Sequence, residues 1–169
     1  MENKLNIAGL VDDSIVDGVG LRYVVFVQGC PRACEGCHNK ETQPFVEKRL
    51  MTPSEIMQKI ENNPLLDGVT FSGGEPMCQA LALSSLAKMI KEKGMHLAVY
   101  TGFKFEDLKQ SKIVGVQELL KYVDILIDGE FKQELRDYNL KFRGSSNQRV
   151  IDVQKSINEV VLVEDEKWL

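Results

Sequence analysis

The sequence predicts an α/β fold whose mostly parallel sheet curves into a partial, open βα barrel. Short runs of apolar, β-branched and aromatic residues alternate with helical segments, as in βαβ units. Strands of that apolar kind belong to sheets covered by helices. The chain has 169 residues, whereas a closed eight-fold barrel needs about 250. A single domain spanning residues 1–169 is therefore expected.

In chain order, Arg22 to Gly29 reads as the first strand, a β-branched and aromatic run ended by glycine. Thr52-Pro53-Ser54-Glu55 is a helix start, with Thr52 as N-cap, Pro53 at the first helical position and Glu55 closing a capping box. That helix runs to about Asn62 and is stopped by Pro64. Gly68 to Ser72 is a short strand. After Gly73-Gly74-Glu75-Pro76 a second helix carries Leu83, Leu86, Ala87 and Ile90 at i, i+3, i+4, i+7 spacing. Gly94 has the place of its C′ residue. Met95 to Thr101 is a third strand. A helical stretch from Val116 to Lys121 leads into a fourth, Val123 to Ile127. The run Ile157 to Val163 is again apolar and β-branched.

Composition narrows the partners. There are 25 acidic against 21 basic side chains, which argues against a nucleic acid or an anionic membrane. The first residues hold no apolar signal region. The longest apolar runs are about five residues, far below the roughly 20 that span a bilayer. A soluble cytoplasmic protein is expected, and in a reducing compartment clustered cysteines bind metal more often than they form disulfides.

Cys30, Cys34 and Cys37 stand in C-x3-C-x2-C spacing on one loop, directly after the first strand. Three thiolates can hold an iron–sulfur cluster and leave one iron of a four-iron cubane open for chemistry. Gly73-Gly74-Glu75 follows the second strand, so both loops lie at the carboxyl ends of strands, where such sheets gather ligands. The two glycines lack a Cβ and admit close backbone approach. Glu75 offers a carboxylate to an ammonium group. An amino acid held through its amino and carboxylate groups would suit an open iron beside this loop.

Plainer readings stand beside these. The cysteines with His38 could make a structural zinc site. Cys78 could be a further ligand or a small buried residue. Glu75 could cap the next helix, and Asp128 could cap the turn after the fourth strand. His96 reads as structural. Arg143, Asn147 and Arg149 lie in a polar Gly/Ser stretch whose default is a solvated loop.

The cysteine spacing together with Ser72-Gly73-Gly74-Glu75-Pro76 resembles the radical S-adenosylmethionine superfamily, whose partial barrel matches the predicted fold. Ile15 to Arg22, Cys37-His38-Asn39, Asp128-Gly129-Glu130-Phe131 and Phe142 to Arg149 resemble, more narrowly, the proteins that activate anaerobic (class III) ribonucleotide reductases. One departure is Val19, where that family usually has proline in Asp-Gly-Pro-Gly; valine does not lock φ.

The resemblance implies a [4Fe–4S] cluster on Cys30, Cys34 and Cys37, with S-adenosyl-L-methionine chelating the fourth iron. It implies Gly73, Gly74 and Glu75 at the amino group, and Gly36, Cys37 and His38 beside the adenine. Asp128 and Arg143 are further cofactor-binding candidates. An external flavodoxin-like reductant would load one electron. Cleavage would then give a 5′-deoxyadenosyl radical, and this would take hydrogen from a glycine on the large subunit of the reductase. The Asp17–Arg22 loop would meet that glycyl segment. A pyruvate formate-lyase type activase and a non-catalytic metal-binding module are the alternatives.

Overall fold

The computed structural model describes residues 2–169. Its strands are β1 (Leu5–Ser14), β2 (Arg22–Val27), β3 (Arg49–Met51), β4 (Gly68–Gly73), β5 (His96–Tyr100), β6 (Ile125–Asp128) and β7 (Arg149–Asp152), with helices α1 (Pro53–Glu61), α2 (Ala80–Glu92), α3 (Phe105–Lys109) and α4 (Val116–Leu120) between them. The strands form one open sheet in the order β3-β1-β2-β4-β5-β6-β7. Its centre, β2-β4-β5-β6, is parallel. β1 and β3 add antiparallel strands at one edge and β7 adds one at the other.

The helix signals act locally as the sequence predicts. Thr52 accepts from the Glu55 N–H and the Glu55 carboxylate accepts from the Thr52 N–H, a complete capping box with Pro53 behind it. Leu83, Leu86, Ala87 and Ile90 of α2 are all fully buried against the sheet. Gly94 ends that helix at φ +75, where the Met95 N–H reaches the Ile90 carbonyl at 3.2 Å.

Three strands escape the sequence reading. β1 contains Gly9 and the pair Asp12-Asp13, and register shifts at Ile7/Gly9 and Val11/Ser14 break its alternation. β3 and β7 are only three and four residues long. The run Ile157 to Val163 is not a strand. Ile157 is 75% exposed, and the segment touches the sheet through a single bridge, Ile151 to Leu162. The edge it would occupy is taken by β7, whose Val150 and Ile151 complete the core.

Strand faces divide the molecule. Tyr23, Val25, Val27, Phe71, Leu97 and Val99 point to the helices. The other face holds Arg22, Thr70, Ser72, Ala98, Tyr100, Ile125 and Ile127 and forms the inside of the partial barrel. Arg22 is 1% exposed there. Its guanidinium donates to Thr70 Oγ1 at 2.7 Å, the Val69 carbonyl at 2.8 Å and the Val19 carbonyl at 3.0 Å. It also reaches His96, at 3.0 Å to Nδ1 and 3.4 Å to the carbonyl oxygen. Burial lowers Arg22 to about 10.

Burial, then the Arg22 charge, lowers His96 to about 4, with Asp124 opposing. Unfolded, this imidazole gains its proton near pH 6.5; folded, it stays neutral until about pH 4. The folded state therefore binds fewer protons in that window, and its stability falls as pH drops through it. The site is partly open, so the expected loss at about pH 4.5 is about 1–2 kcal/mol. Urea midpoints at about pH 7.5 and 4.5 check this: wild type should lose more than His96→Gln, which keeps an acceptor and does not titrate.

Candidate functional site

Register brings the two unusual loops together. Val27 ends β2 opposite Gly73, the end of β4, so the chain leaves both parallel strands at one level on the same rim. The cysteine loop is then pinned from behind: the Gly29 N–H donates to the Thr42 carbonyl at 2.7 Å and the Cys30 N–H to the Gln43 carbonyl at 2.9 Å. Gly29 and Gly36 adopt φ +104 and +74, conformations that let the loop fold back within ten residues. The Cys37 N–H closes the inner turn on the Cys34 carbonyl at 3.2 Å.

Cys30, Cys34 and Cys37 are free, half-buried thiols. All three line one cavity of about 150 Å³, shared with Gly73, Gly74, Glu75, Tyr100, Thr101, Gly129 and Phe131. Burial first, and then the Glu130 carboxylate 3.4 Å from its sulfur, push the Cys34 thiol up to about 11. Burial also raises Cys30. Metal ligation needs the thiolates, so loading this loop with metal releases protons.

The glycines serve the backbone as well as the cavity. A Cβ on Gly74 would overlap the Gly29 carbonyl, and one on Gly73 would meet the Val27 N–H. Their absence lets the Gly74 N–H donate to the Val27 carbonyl at 2.7 Å and the Glu75 N–H to the Gly29 carbonyl at 2.8 Å. Glu75 is 1% exposed. Its carboxylate accepts from the Met77 N–H at 3.1 Å, the Thr101 hydroxyl at 2.8 Å and the Gly102 N–H at 2.8 Å. It thus caps the turn that starts the next helix and joins the loops after β4 and β5. Burial nonetheless pushes its pKa up, against those donors.

A second cavity of about 350 Å³ opens beyond Cys37, lined by Val16, Asp17, His38, Phe142, Arg143 and Gly144. It shares Cys37, Asn39, Ser72, Tyr100, Phe131 and Gln148 with the first, so the two form one cleft. Gly36 lies just outside. Its carbonyl accepts from Arg136 at 3.0 Å, and the same guanidinium stands 3.2 Å from His38 Nε2. His38 also faces Phe131, with ring centroids 5.6 Å apart. An arginine against that ring nitrogen disfavours His38 as a zinc ligand.

Asp128 is fully buried, and its carboxylate accepts from the Phe105 N–H at 2.8 Å and from Arg149 Nε at 2.9 Å. Arg149 in turn reaches Glu106, whose carboxyl is held down to about 2, chiefly by that hydrogen bond. Arg149 is thus a buttress of the fold. Cys78 is exposed and lines neither part of the cleft, contrary to the expectation of a small buried residue. Tyr100 was discoverable from its place at the carboxyl end of β5; Arg136 and Gln148 carried no spacing signal.

The donor chemistry fits an iron–sulfur cluster. Among the described residues no group of three His, Cys, Asp or Glu side chains converges on a single ion. A cluster asks for a different arrangement, since each thiolate binds its own iron. Three thiols around one cavity, opening to a larger cleft lined by polar and aromatic side chains, suit a cluster with a small-molecule ligand beside it. Among the described residues no helix is long and apolar enough to cross a membrane.

Comparison with known proteins agrees. A family model described as a 4Fe-4S single cluster domain matches residues 16–151. Anaerobic ribonucleoside-triphosphate reductase-activating proteins are similar along most of their length. That of Enterobacteria phage T4 is 37% identical over 143 residues, covering 80% of this chain and 86% of the relative. That of Pasteurella multocida is 35% identical, covering 79% and 89%. That of Escherichia coli K12 is 32% identical, covering 80% and 91%. The solved structure of QueE from Escherichia coli aligns with 60% of this chain and 53% of that chain, at a TM-score of 0.47 and 18% identity. With curated relatives 32–37% identical over 79–80% of its length, the chain belongs to the family of anaerobic ribonucleoside-triphosphate reductase-activating proteins.

Proposed function

We propose that this protein is a radical S-adenosylmethionine enzyme that activates an anaerobic ribonucleotide reductase by installing a glycyl radical. The observation that carries this is the set of three free thiols, Cys30, Cys34 and Cys37, opening into one cavity with the Gly73–Glu75 loop and continuous with a larger cleft. A reduced four-iron cluster held by these thiols would supply the electron for cleavage of S-adenosylmethionine to methionine and a 5′-deoxyadenosyl radical, the species that would take hydrogen from a glycine.

The chain's own residues position and shield. Cys30, Cys34 and Cys37 would ligate three irons. The backbone of Gly73 and Gly74, seated on β2, would border the amino group of the ligand, with Glu75 fixing that loop from behind. Cys37, His38 and Phe131 would flank the adenine, and Arg136 holds Gly36 and His38 in place. Arg143 and Asp17 would line the far end, where the partner's glycine enters. Asp128 would act through Arg149 and the loop after β6. A flavodoxin-like protein is the proposed electron donor, and a reducing cytoplasm is the compartment that suits unpaired thiols.

The names of the relatives favour the reductase over pyruvate formate-lyase as partner. Mixing the reduced, reconstituted protein and S-adenosylmethionine with each candidate separately tests this by electron paramagnetic resonance. A glycyl-radical doublet is expected on the reductase. A doublet on the lyase alone would overturn the assignment.

A further inference from the structure

Residues 152–169 follow the segment matched by the cluster-domain model, yet Trp168 packs against Phe142, a residue that lines the cleft. It is the chain's single tryptophan and is 6% exposed. It packs on the inner face of the sheet with Ala98, Ile125, Ile127 and Val150. Its ring stacks on His96 with centroids 5.6 Å apart, and the Arg22 guanidinium lies 5.6 Å from it. A Cβ on Gly18, beside the cleft residue Asp17, would stand 3.2 Å from its Cη2. Lys141 holds the tail by donating to the Glu166 carbonyl at 3.2 Å.

The decisive contact is with Phe142, which meets Trp168 edge-on at 5.4 Å and 62°. Phe142 is the one non-glycine residue with positive φ among the described residues, at +58. A bulky side chain there is strained and persists only where its surroundings impose it. On the other side of this loop, Gly144 packs against Phe131, where a Cβ would come within 2.9 Å. Between them Arg143 lines the cleft. It gives one weak hydrogen bond, to the Gln148 carbonyl at 3.4 Å, and its buried Nε has no partner. An arginine held this way presents unused donors to a ligand carboxylate or hydroxyl.

We propose that Trp168 is a positioning residue behind the ligand cleft, holding Phe142 in its strained conformation and thereby presenting Arg143 to S-adenosylmethionine. The proposal rests on reading the cleft as the S-adenosylmethionine site. Full-length wild-type, Trp168→Ala and Trp168→Phe proteins, reconstituted anaerobically, are compared by equilibrium dialysis against S-adenosylmethionine with iron measured in parallel.

Trp168→Ala should keep its iron and bind about tenfold more weakly, with KM rising more than kcat falls; Trp168→Phe should stay within about threefold of wild type. Alanine protein that binds as tightly as wild type overturns the proposal and leaves the activase reading intact. Wild type that does not bind overturns both. Wild type also provides a test free of any folding defect. Its fluorescence comes from Trp168, so emission should change with the same dissociation constant as dialysis. A flat emission titration, with binding seen by dialysis, contradicts the proposal.

Discussion

Cys34→Ala protein, reconstituted with iron and sulfide, should hold well under half the wild-type iron and lose at least about 10³-fold in S-adenosylmethionine cleavage. Two thiolates cannot anchor a cluster that has three protein ligands and one open iron, and no other side chain stands ready to replace the third. The acidic neighbour, Glu130, is 46% exposed on its side chain and paired with Arg32 at 3.3 Å. His38 is engaged by Arg136. Cys78 is exposed and lines neither part of the cleft, so Cys78→Ala should keep its iron and its activity. Iron analysis and the visible absorption of the cluster check both variants. Native iron content in Cys34→Ala would contradict the ligand assignment.

Glu75→Ala should destabilise the fold by roughly 3–5 kcal/mol, because it orphans the Met77 and Gly102 N–H groups and the Thr101 hydroxyl at about 1–3 kcal/mol each where they are buried. Glu75→Gln should lose less, roughly 1–2 kcal/mol. One side-chain oxygen then still serves Met77 and Thr101, but the amide nitrogen meets the Gly102 N–H, donor against donor. Urea unfolding of the unreconstituted proteins checks the order wild type, Gln, Ala. An Ala variant as stable as wild type would mean that Glu75 does not tie the loops after β4 and β5 together.

This second case shows where sequence reading reaches its limit. The C-x3-C-x2-C spacing and the Gly-Gly-Glu run each announce themselves, and the carboxyl-end rule puts both loops on one rim. The capping box at Thr52 and the spacing of Leu83, Leu86, Ala87 and Ile90 are local signals, and they hold. What Glu75 touches depends on Thr101 and Gly102, about a sheet strand away, and nothing in the run Gly73-Gly74-Glu75 encodes that. Nor does the run state that the glycines seat one loop on the backbone of the other. The short edge strands β3 and β7 owe their existence to neighbours rather than to their own pattern. The apolar run from Ile157 to Val163 fails for the converse reason: its composition suits a strand, but the place beside β6 is taken by β7, and the run meets β7 in one isolated bridge at Leu162.

Formation of 5′-deoxyadenosine is the most direct test of the central claim. The protein is purified without oxygen, reconstituted with iron and sulfide, reduced, and given S-adenosylmethionine. The account predicts 5′-deoxyadenosine and methionine in equal amounts, in a reaction lost on substitution of Cys30, Cys34 or Cys37. A well-formed four-iron cluster that yields no 5′-deoxyadenosine would contradict it.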